Sequence, residues 1–319
     1  MHAQTLHPAT PNEISTTAAR LRGRVAKWDW PTLALMSGCL GLWGVALALP
    51  AGWGALSFVL LVLSLTLHSS LSHEMLHGHP FRSDTASTLL GIVQPGLLVP
   101  YLRFKTLHLA HHADANLTDP YDDPESNYVD PRVWAAMPLW RRAVGRFNNT
   151  LIGRMAVGPL LGMICFVRDD YARIRRGEPD VAADWLLHLP GVAVILGLVH
   201  LSEMSLGHYL AACYGAMSIL KIRTFLEHRA HERASARTVV IEDRGVLALL
   251  FLNNNLHVVH HMHPNVSWYR LPALYRANKA RYLARNQGYV YRSYGQIFRL
   301  FLCRSKDPVA HPLWQPRGE

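Results

Sequence analysis

From Pro31 to His73 the chain carries no lysine or arginine. Within that block, residues 31–50 and 52–72 are two apolar stretches, separated by Pro50-Ala51-Gly52. Each is long enough to cross a hydrocarbon core of about 30 Å as a helix. Proline and glycine supply the tight turn between them. A second block without basic residues runs from Asp184 to Leu220. Only 17% of the 319 residues are charged, against about 25% in a typical soluble domain. The net charge is +10, and all the basic residues behind it lie outside these two blocks. That distribution suits loops at an anionic cytoplasmic leaflet better than a nucleic-acid surface, so no nucleic-acid partner is expected.

The turn at 50–52 has no positive charge, whereas Arg20, Arg22, Arg24 and Lys27 precede the first stretch. The positive-inside rule therefore puts the turn outside and the basic segment inside. Residues 86–104 are apolar but broken by Gln94-Pro95-Gly96 and Pro100, which predicts a re-entrant or surface-lying segment. Residues 113–150 read as a polar excursion. Stretch 151–167 is short and carries Arg154, and Arg168, Arg173, Arg175 and Arg176 follow it; it is expected to lie in the interface. Stretches 184–202 and 205–222 form a second hairpin, with Ser202-Glu203-Met204 outside and Lys221 and Arg223 at its inner end.

The expected fold class is an all-α integral membrane protein, with four transmembrane helices under a cytosolic helical cap. Its units are a flexible basic segment (1–30), a hairpin (31–72), a cytosolic and interfacial portion (73–183), a second hairpin (184–222) and a cap with the C-terminal tail (223–319). Both termini are expected in the cytoplasm. Residues 272–286 alternate Leu and Tyr with Arg and Lys, a pattern that fits either a helix resting on headgroups or one packed on the cap. Cys39, Cys165, Cys213 and Cys303 make no CxxC, so a zinc ribbon, an iron–sulfur cluster and a disulfide framework are not expected.

Histidine supplies the chemistry. His257-Val258-Val259-His260-His261 and His108-Leu109-Ala110-His111-His112 repeat one spacing, and His73-Glu74-Met75-Leu76-His77 adds a pair one turn apart. Positions i, i+3 and i+4 share one face of a helix. With 19 histidines in the chain, one HxxHH is expected by chance about 0.07 times; two occur. All three clusters lie just beyond apolar blocks, on the side assigned to the cytosol. Eight imidazoles exceed the four ligands of a single zinc, so two ions are more economical, and a nitrogen-rich site with open positions suits oxygen-activating iron. The Glu-x-x-His carboxylate ligation of soluble di-iron bundles is not expected here. Glu74 reads either as a group that orients an imidazole or as a membrane-edge charge. A transporter would place its ligands near mid-membrane, which these clusters do not do.

These three clusters resemble the histidine boxes of the membrane fatty-acid desaturase superfamily, bacterial desaturase-like branch, over roughly residues 31–275. The order matches, as do the gap between the first two boxes and the hairpin before the third. The resemblance implies two non-haem irons, O2 as co-substrate, and electrons from a separate carrier such as a ferredoxin, a rubredoxin or a cytochrome b5-like protein with its reductase. It implies a metal set of His73, His77, His108, His111, His112, His257, His260 and His261, with one more histidine after the last hairpin. His228 is the candidate for that place and His231 the substitute. Asn253 and Asn254 either reach the metal through water or cap a helix. The run 116–126 resembles a segment of bacterial desaturase-like proteins and, more loosely, of carotenoid ketolases. Its Asp119, Asp122 and Asp123 either hydrogen-bond the histidines or form a solvated loop. The implied reaction is desaturation of a fatty acyl or lipid-like chain in a bacterial inner membrane. Hydroxylation or ketolation, or desaturation of an amino-acid-derived metabolite as by the dihydrorhizobitoxine desaturases, would use the same boxes.

Overall fold

The computed structural model describes residues 29–113 and 117–315. The basic segment at 20–27 lies outside the described residues, and so does nearly all of the expected unit 1–30. Helix α1 (Trp30–Ala48) starts at Asp29, whose carboxylate accepts the Thr32 hydroxyl at 3.0 Å. Pro50 and a single 3-10 turn, Ala51–Trp53, reverse the chain into α2 (Gly54–Leu76). The buried hydroxyls of α2 do not stay unpaired in this apolar setting. Thr66 donates to Val62 O four residues back at 2.7 Å, and Ser57 donates across the hairpin to Ala46 O at 2.9 Å. In an apolar setting an unmade hydrogen bond is costly, and each of these bonds removes that cost.

The broken stretch becomes α3 (Asp84–Ile92), a loop, and α4 (Tyr101–Ala113). The loop enters the helix bundle. Leu97 packs with Leu61, Leu65 and Ala212, while Tyr209 donates to Pro95 O at 2.6 Å and His188 Nε2 donates to Leu97 O at 2.7 Å. Side chains of the bundle thus satisfy the backbone that the prolines leave without helical partners, as apolar surroundings require. After α5 (Pro131–Ala136) and α6 (Leu139–Asn148), the expected interfacial stretch is two helices, α7 (Leu151–Ala156) and α8 (Gly158–Arg175), broken at Val157. Pro159 lies in the first turn of α8, where its missing N–H has no helical acceptor to lose.

Helices α9 (Pro179–Leu201) and α10 (Leu206–Thr224) form the second hairpin. Gly191 of α9 rides on the end of α3, where a Cβ would stand 2.2 Å from Ile92 O. Gly215 of α10 lets that helix close on α2, since a Cβ there would meet Val62 at 2.9 Å. Among the described residues, Trp30–Ala48, Ala51–Leu76 and Pro179–Leu201 are long and apolar enough to cross a membrane, with mean hydropathy of 1.5, 1.8 and 1.8. Helix α10 is not among them, because His208, Tyr209, Tyr214, Ser218 and Lys221 dilute its apolar surface. Trp43, Pro50, Leu201 and Glu203 line one groove, so both hairpin turns sit at the same end of the bundle.

Beyond the bundle, β1 (Val240–Ile241) pairs in parallel with β2 (Val290–Tyr291). Around this pair lie α11 (Val246–Leu250), α12 (His257–Met262), α13 (Leu271–Ala277), α14 (Lys279–Arg285) and α15 (Tyr294–Phe301). The amphipathic run 272–286 is two short helices that divide at Asn278. Leu271, Leu274, Tyr275 and Tyr282 are buried against Val258 and Val259 of α12. Its apolar face therefore supports the third histidine cluster.

Candidate metal centre

Each histidine cluster is carried by a different element. His73 lies in the last turn of α2 and His77 caps it. His108, His111 and His112 end α4, and His257, His260 and His261 occupy α12. His228 follows α10, where it bridges to Thr238. These elements bring nine rings into two groups. His73, His77, His108, His112 and His260 form the first; His111, His228, His257 and His261 form the second, and the candidate ligand atoms within each lie within 4.8 Å of one another. The rings of His112 and His261 stack at 4.2 Å across the boundary.

The two HxxHH triplets are split in a crossed manner. His108 and His112 serve the first group and His111 the second, whereas His257 and His261 serve the second and His260 the first. Positions i and i+4 diverge by only about 40° around a helix, and i+3 lies about 60° to the other side. Where packing sets such a triplet at the seam between two sites, i and i+4 fall on one side and i+3 on the other.

The spacing of the ring nitrogens suits a metal. Nε2 atoms are 3.0 Å apart for His108–His112 and His112–His260 in the first group. In the second they are 3.0 Å apart for His111–His228, 3.2 Å for His228–His257 and 3.1 Å for His257–His261. Two nitrogens bound at about 2.1 Å and at right angles on one ion lie about 3.0 Å apart, while a tetrahedral pair lies about 3.4 Å apart. The observed spacing is shorter than a tetrahedral pair gives, and the five rings of the first group exceed the four ligands of a structural zinc. The buried Nε2 atoms of His73 and His77 have no hydrogen-bond partner among the described residues, which a coordinated cation would resolve.

Burial keeps most of these rings neutral, with the lone pair that coordination requires. It holds His77, His228, His257, His260 and His261 well below the ordinary imidazole value, and neighbouring histidines add to the effect. Burial, with His108 and His111 nearby, pushes His112 down to about 3. His111 is the exception. Burial opposes its charge, but the carboxylates of Glu125 and Asp123 outweigh that and push it up to about 9.

Hydrogen bonds on the far nitrogens fix the ring orientations. Glu125 Oε1 lies 2.8 Å from His108 Nδ1, Asp123 Oδ1 lies 2.8 Å from His111 Nδ1, and Asn254 Oδ1 lies 3.0 Å from His257 Nδ1. Each acceptor selects the tautomer whose Nε2 is free to coordinate. Asp123 is itself held by the backbone N–H groups of Thr118 and Glu125, at 2.8 and 2.9 Å. Of the three aspartates singled out in the sequence, Asp123 thus contacts a histidine. Asp119 instead accepts the backbone N–H groups of Tyr121 and Asp122 and shapes the turn, and Asp122 is exposed. Glu125, in the same run but not among those three aspartates, contacts a second histidine. Its signal was its place two residues after Asp123 around Pro124, a turn that brings both carboxylates back onto α4.

Other expectations divide similarly. His231 is outside both groups and its Nδ1 accepts the Arg233 N–H at 3.1 Å. Asn253 donates to Trp268 O at 3.2 Å, and the N-cap position of α12 is Leu256, so neither Asn253 nor Asn254 caps it. Although no Glu-x-x-His is expected at the three clusters, Glu74-Met75-Leu76-His77 has that spacing. Glu74 nevertheless joins neither group: its Oε2 accepts the Trp268 N–H at 3.2 Å, and its Oε1 is 3.7 Å from His73 Nδ1, too long for a hydrogen bond. Glu227 was also unforeseen. It pairs with Arg223 at 3.1 Å and lies 3.9 Å from His257 Nδ1. The C-terminal segment straps the acidic loop from outside. Asp307 meets Tyr128, Lys306 Nζ donates to His228 O at 2.9 Å, and His311 Nε2 lies 3.2 Å from Thr118 Oγ1.

Compared with known families, residues 48–294 match the family described as fatty acid desaturase. Among curated proteins no match is found.

Proposed function

The chain belongs to the fatty acid desaturase family, and from that premise we propose that it is an O2-dependent di-iron desaturase acting on a fatty acyl or lipid-like chain. The observation that carries this reading is the pair of histidine groups, five rings and four, built from three boxes and His228. Iron bound there would supply O2 reduction and oxidation of an unactivated C–H bond. The protein's own part is to present nine Nε2 atoms, to orient three of the rings through Glu125, Asp123 and Asn254, and to keep bulk water from a centre whose His111 is 0% exposed. Rigid presentation of the ligands leaves the outcome to where the substrate sits.

In this reading four helices cross a bacterial inner membrane: α1, α2, α9 and α10. The turns at 50–53 and 202–204 lie outside, and the termini and metal centre lie in the cytoplasm. The histidines then stand where α2 and α10 leave the bilayer, within reach of a lipid chain. Electrons come from a separate carrier.

Metal analysis and product analysis test the proposal together. Purified protein is expected to hold about two irons per chain, as two complete ligand groups require. Expression with a suitable reductase is expected to give an unsaturated product that depends on O2 and disappears in His260→Ala. A single zinc unaffected by iron supply, or a product that persists in His260→Ala, refutes it. A hydroxylated or keto product would replace desaturation with oxygen insertion at the same centre.

A further inference from the structure

Two helices on either side of α7 carry their apolar side outward. In α6, Leu139, Ala143, Phe147, Trp140 and Val144 fall within an arc of about 140° at 100° per residue. All five are exposed, with Trp140 63% exposed. The opposite side of α6 is the one that packs on the protein: a Cβ on Gly145 would meet Trp134 at 2.9 Å. In α8, Leu160, Ile164, Val167, Tyr171 and Ile174 form a second exposed stripe about 80° wide. Monomeric soluble proteins rarely expose contiguous apolar surface of this kind.

The helix between and beside these stripes lies against the bundle. Lys221 Nζ at the inner end of α10 stands 3.4 Å from where a Cβ on Gly162 would be. Further along α8, Phe166 meets Trp185 near the start of α9 at 5.8 Å between ring centres. Helix α8 therefore runs across the inner ends of α9 and α10. The break before it reaches deeper. Ala156 O accepts the Tyr214 hydroxyl at 2.5 Å, and Tyr214 adjoins Gly215, which meets Val62 midway along α2. Tyr214 is two turns from Lys221, about 10 Å along the helix.

Charge selects the occupant. Between residues 139 and 176 there are eight arginines and two aspartates, with no lysine or glutamate. Among the described residues no carboxylate pairs with Arg141, Arg146 or Arg175, and all three are exposed. Arg141 and Arg146 flank the two edges of the apolar arc of α6, and Arg175 flanks the stripe of α8. An apolar face rimmed by cations, level with the ends of spanning helices, is the pattern of a helix seated in an anionic lipid interface.

We propose that residues 139–175 form a lipid-contacting apron: α6 and α8 lay their exposed stripes in the headgroup–acyl boundary, the α7–α8 break dips below it, and Arg141, Arg146 and Arg175 bind anionic headgroups. This rests on the membrane reading above, and the test separates the two. Nitroxide labels are placed one at a time at Val144→Cys (α6), Ile164→Cys (α8) and Val194→Cys (mid-α9), with the exposed cysteines Cys165 and Cys303 changed to serine. The full chain is reconstituted in nanodiscs of phosphatidylcholine with phosphatidylglycerol. All three labels are expected to collide more with O2 than with a water-soluble nickel complex. Spin-labelled phosphatidylglycerol is expected to associate at least about two-fold more than phosphatidylcholine, falling to parity in R141Q/R146Q/R175Q. Labels at Val144 and Ile164 that are open to nickel while Val194 is not overturn the apron and leave the spans standing. All three open to nickel sinks both. Dipolar broadening between Ile164 labels, with neither reagent reaching them, makes the face a contact between copies and refutes the lipid assignment, as does parity between the two lipids in the parent chain.

Discussion

Replacing Asp170 tests how the second histidine box is held in place. Arg103 lies on α4, five residues before His108, and is 1% exposed. Its Nε donates to Asp170 Oδ2 at 2.9 Å and its Nη2 to Oδ1 at 2.7 Å. Trp185 Nε1 donates to the same Oδ2 at 2.9 Å. One carboxylate on α8 therefore clamps α4 and α9. Asp170→Ala leaves a buried guanidinium with only Asp184, 3.8 Å away. Breaking a buried pair by removing one partner costs about 3–5 kcal/mol, and the remaining Asp184 sets the expectation at the lower end. For a domain of this size about 3 kcal/mol corresponds to roughly 6–12 °C in Tm. The assay is thermal unfolding of the reconstituted protein at one fixed scan rate, so that parent and variants are compared alike even where unfolding is irreversible. Iron content is measured on the same samples and is expected to fall with stability. Arg103→Met with Asp170→Leu, which buries no charge, is expected to recover most of the loss. The reasoning is refuted if Asp170→Ala melts within about 2 °C of the parent, or if the double variant is as unstable as the single one.

Asp123→Asn removes the negative charge from His111 Nδ1 while keeping an acceptor; iron affinity of the second group is expected to fall about 10–100-fold, read by competition with a chelator. His228→Ala is expected to lose iron from the second group and His231→Ala to retain it, measured as iron per chain. The apo chain should also respond to pH through His111. Its folded value is raised to about 9, above the ordinary value near 6.5. The stability this adds is therefore complete below about pH 6.5 and is lost as pH rises through about 9. Iron must displace that proton, so iron affinity is expected to increase over the same window. A chelator titration at pH 6.5 and pH 9 showing the opposite slope would contradict the assignment of His111 to the metal.

The histidine spacing was legible because a helix converts i, i+3 and i+4 into neighbours without help from the rest of the fold. The two hairpins were legible because a block with no lysine or arginine, such as Pro31 to His73, has few other places to go. What could not be read depended on long-range packing. Each triplet looked like one face, yet α4 and α12 meet at a seam that divides it. Glu125 and Asn254 find their histidines only after the turn at Pro124 and the bend before α12 have formed. The run 272–286 looked like a single helix, but Asn278 adopts φ −135° and divides it, so that Tyr275 and Tyr282 can both turn inward. Helix α10 is less apolar than its partners because His208, Tyr209, Tyr214, Ser218 and Lys221 interrupt its sequence, and of these Tyr209 is buried against other helices.

The crossed triplets limit how the centre can be altered. Because α4 and α12 each feed both groups, sliding or rotating either helix to suit one ion disturbs the other at once. Retuning of one position independently is left to the groups behind individual rings, Asp123 for His111 and Asn254 for His257, because Glu125 bonds His108 of the first group and also lies 3.9 Å from His111 Nε2 of the second. Redesign toward a different metal or potential would therefore begin in the acidic loop and at Asn254, with the helices left where they are.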